Sequence, residues 1–240
     1  MESFTVNLAN VPIGISALYK KTREAYREYL TSKTPFFSLV ATEQELTALN
    51  NELIRQGVIY PRSAIQLEEQ WFYRRIAERL PEYGAMLFHG SAVAVDGAAY
   101  LFTAPSGIGK STHTRLWRQH FGDKAVMIND DKPLLRFDGN NVSVCGSPWR
   151  GKHRLGTNTI APLKGLCLLT RDVSNSIVPV SAAEAFPALL KQCYRPESPQ
   201  RAAQTLALLD RLTQNAAVYR LRCNMEPDAA QVAYSGMNGG

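Results

Sequence analysis

The sequence predicts an α/β fold built on a mixed, largely antiparallel sheet with flanking helices. Three observations predict it. Two short hairpin signals, Asp96-Gly97 and Asp138-Gly139-Asn140-Asn141, each separate runs of alternating apolar residues. The strand after the first signal, Ala98 to Phe102, runs directly into a glycine-rich loop, Ala104 to Thr112, followed by a helical pattern. The last third carries helix-start signals, Ser181-x-x-Glu184 and Ser198-Pro199.

Along the chain, residues 1–85 offer a polar helix at Glu43 to Gln56 and an apolar-periodic one from Ile65 to Leu80. His89 is placed in an apolar strand before the first hairpin. Ser111 to His120 reads as a helix, and Ala125 to Ile128 as a strand ending at Asn129-Asp130-Asp131. Pro133 to Phe137, Val142 to Cys145 and Leu163 to Thr170 are further strands. The capping box opens a helix to about Tyr194, and Ser198 caps a second. Val218 to Arg222 is a late strand, Glu226 to Ser235 a last helix, and Asn238 to Gly240 a frayed tail. Residues 1–85 form an accessory, substrate-selecting region, and residues 86–240 a catalytic domain.

Composition narrows the function. The 240 residues are 45% hydrophobic and 20% charged, the profile of a globular protein with a real core. The net charge of +6 is scattered, which suits anionic ligands; no aromatic-and-basic signature or zinc spacing points to nucleic acid. Cys145, Cys167, Cys193 and Cys223 form no C-x-x-C pair and read as buried free thiols in a reducing compartment. With no secretory signal at the N-terminus, the expected location is the cytoplasm. The apolar stretch 86–104 carries His89, Asp96 and two glycines, so it reads as strands and no membrane partner is expected.

The segment Ala104-Pro105-Ser106-Gly107-Ile108-Gly109-Lys110-Ser111-Thr112 fits the Walker A pattern with alanine for the first glycine. Its glycines let successive N–H groups point at phosphate oxygens; the helix N-terminus and Lys110 add positive potential. Ser106 to Thr112 are therefore the nucleotide-binding candidates, with Ser111 or Thr112 offering a hydroxyl to Mg2+. ATP is the expected nucleotide.

An Asp-Asp dipeptide alone is a solvated turn. Beside a phosphate loop, Asp130 and Asp131 become catalytic candidates, one accepting a proton and the other holding magnesium. His89 is either a satisfied core histidine or a neighbour of these carboxylates. The loop Gly146 to Arg154, with Arg150, Lys152, His153 and Arg154, is either an exposed basic loop or a clamp on the transferred phosphoryl group.

A hairpin feeding the phosphate loop departs from the parallel route of Rossmann-like proteins. His89-Gly90, Val93 to Gly97, Ser106 to Ser111 and Asn129-Asp130-Asp131 together resemble the catalytic domain of HPr kinase/phosphorylase, itself related to ATP-dependent phosphoenolpyruvate carboxykinase. The likeness covers roughly residues 86–172, and the whole chain looks like the small HPr-kinase-related proteins of Gram-positive bacteria. Thr112 stands where the HPr enzymes carry a glutamate. The resemblance implies a P-loop fold of that type and a kinase that uses ATP and magnesium to phosphorylate a serine hydroxyl of a peptide, protein or small molecule. It implies that His89, Lys110 and Asp130 are catalytic, Asp130 as general base, with Asp131 on the metal side; Arg150 is the candidate from the basic loop. A carboxykinase-like reaction on a dicarboxylate and a non-catalytic ATP sensor are the alternatives, and a homo-oligomer is left open.

Overall fold

The chain opens with a strand pair that turn chemistry does not announce. In the computed structural model, which describes residues 1–58 and 62–239, β1 (Glu2–Leu8) pairs antiparallel with β2 (Val11–Ala17). The two turn residues, Ala9 and Asn10, have φ of 50° and 60°, left-handed geometry usually given to glycine. That is why this hairpin was absent from the sequence reading. After α1 (Lys20–Ala25), β3 (Phe37–Val40) joins β2 in parallel, completing a three-stranded sheet.

Two predicted helices cover this sheet. α2 (Glu43–Arg55) is capped by Thr42, and α3 (Ala64–Arg79) by a Ser63–Gln66 capping box. Leu46, Leu49 and Leu53 of α2 and Trp71, Phe72 and Ile76 of α3 face inward. Their cluster is continuous with Ala85, Leu87, Leu134 and Cys145 of the larger sheet, so apolar packing crosses residue 85. The division there into two regions stays a proposal.

The larger sheet has nine strands. β4 (Ala85–Leu87), β5 (Ser91–Val95) and β6 (Ala98–Thr103) precede α4 (Lys110–Phe121); β7 (Val126–Asn129), β8 (Leu134–Asp138), β9 (Asn141–Cys145), β10 (Ile160–Arg171) and β11 (Ser176–Pro179) follow it. Then come α5 (Ala182–Leu190), α6 (Pro199–Asn215), β12 (Val218–Cys223) and α7 (Asp228–Asn238). The order is β4-β8-β9-β10-β6-β5-β7, with β12 also on β10 and β11 on β12. Six pairings are antiparallel and two, β10–β6 and β10–β12, are parallel, so the sheet is mixed and largely antiparallel as expected. Both hairpins form: Val95 faces Ala98 across Asp96-Gly97, and Asp138 faces Asn141. Among the described residues no helix is long and apolar enough to cross a membrane. Cys145, Cys167 and Cys193 are buried free thiols and Cys223 is half-buried.

Local expectations fail in four places. His89 lies in the bend between β4 and β5, outside either strand. α5 stops at Leu190, because the chain turns so that Cys193 bridges Phe88 and the Tyr194 N–H donates to the Leu87 carbonyl. Ser198 sits at the N-cap of α6 but its hydroxyl caps nothing; its N–H donates to Glu78 Oε1 (3.0 Å). Asn238 continues α7 and its amide donates to the Tyr100 hydroxyl (3.0 Å), so it is docked, while Gly240 lies outside the described residues.

Candidate functional site

β6 is buried along nearly its whole length and paired on both sides, which gives the loop after it a rigid base. Gly107 and Gly109 take φ of 84° and 124°, a conformation that L side chains strain to adopt. The chain curls and enters α4 at Lys110, where the first N–H groups of the helix lack intrahelical partners. Lys110 is buried, with Nζ donating to the Ala104 carbonyl (2.8 Å) at the loop's start. Burial lowers its pKa, opposed by the negative charge of Asp131 and reinforced by Lys132.

The carboxylates arrive from the turn after β7. Asn129, fully buried, organises that turn: its Oδ1 accepts the N–H groups of Asp131 (2.8 Å) and Lys132 (2.7 Å), and its amide donates to Ser147. The two aspartates then part. Asp130 is only 5% exposed; Oδ1 accepts the Gly151 N–H (2.6 Å) and Oδ2 the Leu155 N–H (3.4 Å). Glycine at 151 permits this close approach, since a Cβ there would stand 3.1 Å from Asp130 Oδ2. Asp131 is more open, with Oδ1 3.4 Å from His89 Nε2 and 3.9 Å from Lys132 Nζ. Burial raises its pKa, but the His89 hydrogen bond and the charges of Lys132, His89 and Lys110 outweigh that and hold it below the usual aspartate value.

His89 is fixed at both ring nitrogens. Nδ1 meets Gln192 Oε1 (2.9 Å), the backbone N–H of His89 donates to the Gln192 carbonyl (2.8 Å), and the His89 backbone carbonyl accepts from the Thr103 hydroxyl (2.8 Å) at the end of β6. Thr103 thereby ties the histidine to the strand that carries the loop.

These elements enclose a cavity of about 760 Å³. Of the candidates, Ser106, Gly107, Gly109, Lys110, Ser111, Thr112, His89, Asp130 and Asp131 all line it. Ile108 lines a neighbouring cavity instead. The basic loop divides: Lys152 and His153 reach the cavity, whereas the guanidinium of Arg150 pairs with Glu28 of the N-terminal region (2.6 Å). Arg150, the catalytic candidate expected from the basic loop, is not among the residues lining this cavity; a turn-rich segment does not reveal which way each side chain faces. Tyr194 borders another cavity, beside Trp71 and Arg74.

Sequence reasoning missed four residues. Asn129 is legible only as the first member of the Asn129-Asp130-Asp131 run, with no role of its own, and Gln192 carries no signal at all. Arg171, at the end of β10, donates from Nε to the Ile108 carbonyl (3.1 Å) and from Nη2 to that of Gly107, bracing the loop. Arg115 joins the cavity wall from α4; its spacing of four from Ser111 was the one available signal.

The donor set toward a divalent cation is oxygen only: the Ser111 and Thr112 hydroxyls and the Asp131 carboxylate. Such hard donors suit magnesium held chiefly by substrate phosphates. Among the described residues no group of three or more His, Cys, Asp or Glu is placed to hold a metal. Asp130 and Asp131 both line the cavity, Asp130 with its oxygens on backbone N–H groups and Asp131 the more open of the two.

No family model matches the chain, and no curated protein matches it. Among solved structures it is similar to the Hpr(Ser) kinase/phosphatase from Coxiella burnetii, at 9% identity and a TM-score of 0.38, over 64% of this chain and 95% of that one. At that distance the likeness carries no argument about activity.

Proposed function

We propose that the protein is an ATP- and magnesium-dependent phosphotransferase acting on a hydroxyl acceptor, with serine in a peptide, protein or small molecule as the preferred class. The observation that carries it is the convergence on one cavity of a glycine-curled loop, a buried lysine at a helix N-terminus and an open carboxylate backed by a histidine. A phosphoryl site needs positive potential and directed N–H donors on one side and a proton acceptor on the other.

In this reading Lys110 and the amides of residues 106–111 hold the β- and γ-phosphates. The acceptor oxygen attacks the γ-phosphorus, the bond to the bridging oxygen breaks, ADP leaves, and the hydroxyl proton passes to Asp131. Asp131 takes this role over from Asp130, whose two oxygens already accept backbone N–H groups. His89 orients Asp131, and Asp130 holds residues 151–155 at the cavity wall with Lys152 and His153 near the transferring group. Magnesium, when bound, would neutralise phosphate charge, held by Ser111 and Thr112 with phosphate oxygens and water. Residues 1–85 are proposed to select the acceptor, and residues 86–240 to carry the chemistry.

The test is transfer of label from γ-labelled ATP with magnesium to a pool of serine-containing peptides, proteins and hydroxy amino acids. Wild type transfers label and Lys110→Ala does not. Full transfer by Lys110→Ala overturns the reading; ATP bound without transfer to any acceptor moves it to a sensor.

A further inference from the structure

A second cavity, of about 430 Å³, lies behind the same loop and is not used by the chemistry above. It shares Gly109 and Thr112 with the phosphate cavity, and its size falls in the range of roughly 300–1,000 Å³ common for ligand pockets. Its position follows from the sheet. β6, β10 and β12 run parallel side by side, so their carboxyl ends meet along one edge. There β6 delivers the loop, β10 delivers Arg171-Asp172, and β12 delivers Cys223-Asn224-Met225. The space outside the carboxyl ends of parallel strands is where open α/β sheets take ligands.

The lining combines apolar faces with a few polar atoms. Ile108 is half-buried, and Met225 is 74% exposed, a large apolar side chain with little cover. A thioether packs well against an aromatic ring. The Asp172 carboxylate uses Oδ1 to accept the Val173 and Ser174 N–H groups; Oδ2 lies 4.0 Å from the Arg222 guanidinium, beyond hydrogen-bond range, and keeps lone pairs for an N–H donor. His113 forms part of the wall and is 2% exposed. Trp117 Nε1 donates to its Nε2 (3.0 Å), so Nδ1 carries the ring hydrogen, and Nδ1 has no partner among the described residues.

We infer that this cavity takes the purine base of the nucleotide whose phosphates lie on the loop, with Ile108 and Met225 against the ring and Asp172 accepting from its N–H edge. A bicyclic base offers these side chains more face than a monocycle. The inference rests on the loop being a phosphate site, and it goes further by assigning the residues that distinguish a nucleotide from bare polyphosphate.

The experiment compares binding of ATP, GTP and inorganic tripolyphosphate, each with magnesium, to the full chain as wild type, Met225→Ser and Asp172→Asn. The expected result is that wild type binds ATP or GTP at least about tenfold more tightly than tripolyphosphate. Both substitutions remove most of that advantage and leave tripolyphosphate affinity unchanged. Met225 is exposed, so its replacement spares the core, and thermal melts verify this. Equal affinity for nucleotide and tripolyphosphate in wild type, or nucleotide affinity unmoved by both substitutions, overturns the base site while the phosphate reading stands. Failure of all three ligands to bind wild type overturns both.

Discussion

Acidification from pH 7 to pH 5 withdraws about 2 kcal/mol of stability through one side chain, His113. Its ring lies against Phe102, and burial pushes its pKa from 6.5 down to about 3. An unfolded histidine titrates near 6.5. Between these values the unfolded chain binds a proton that the native state refuses, so stability falls as pH falls through that window. Above about pH 6.5 both states are neutral and the effect vanishes. At pH 5 the unfolded ring is about 97% protonated, and the linkage amounts to roughly 2 kcal/mol at that pH. The assay is urea unfolding of metal-free wild type and His113→Gln at pH 7, 6 and 5. Glutamine does not titrate and can still accept from Trp117. The difference in stability between the two proteins shifts by about 2 kcal/mol in favour of the variant from pH 7 to pH 5. Parallel pH profiles would refute the argument and mean that His113 takes up its proton as readily in the native state as in the unfolded chain.

Other consequences are as direct. Arg171→Ala removes two charge-assisted hydrogen bonds to the loop carbonyls of Gly107 and Ile108 and raises the Kd for ATP by about tenfold, measured by calorimetry. Glu68 is fully buried and accepts the N–H groups of Leu18 (2.5 Å) and Tyr19 (3.3 Å) and the Thr22 hydroxyl. Glu68→Ala strands those donors and costs about 3 kcal/mol in urea unfolding.

The parts legible in the sequence were those whose physics is local. Asp96-Gly97 and Gly139-Asn140 declare their hairpins because Asp96, Gly97 and Gly139 suit left-handed backbone, and the Ser181–Glu184 capping box forms as written. The β1–β2 hairpin escaped because Ala9 accepts a conformation that alanine seldom signals. The same divide runs through the site. Ser106 to Thr112 is one contiguous loop-to-helix segment, readable as such. Arg171 reaches that loop only through the parallel pairing of β10 with β6, and Gln192 reaches His89 only because the chain after α5 returns to β4. No local pattern carries those contacts. The different surroundings of Asp130 and Asp131 are hidden for a related reason: the amides that hold Asp130, from Gly151 and Leu155, lie more than twenty positions away. Arg150 shows the converse, a motif-like residue drawn away by Glu28, a partner that no spacing rule connects to it.

The most direct measurement is single-turnover phosphoryl transfer from magnesium-ATP by wild type, Asp131→Asn and Asp130→Asn, with ATP binding measured in parallel. The account predicts that Asp131→Asn still binds ATP but transfers about 10²–10⁴-fold more slowly. Asp130→Asn loses less at the chemical step and more in the stability of residues 151–155. Undiminished transfer by Asp131→Asn, or a loss confined to Asp130→Asn, would contradict it.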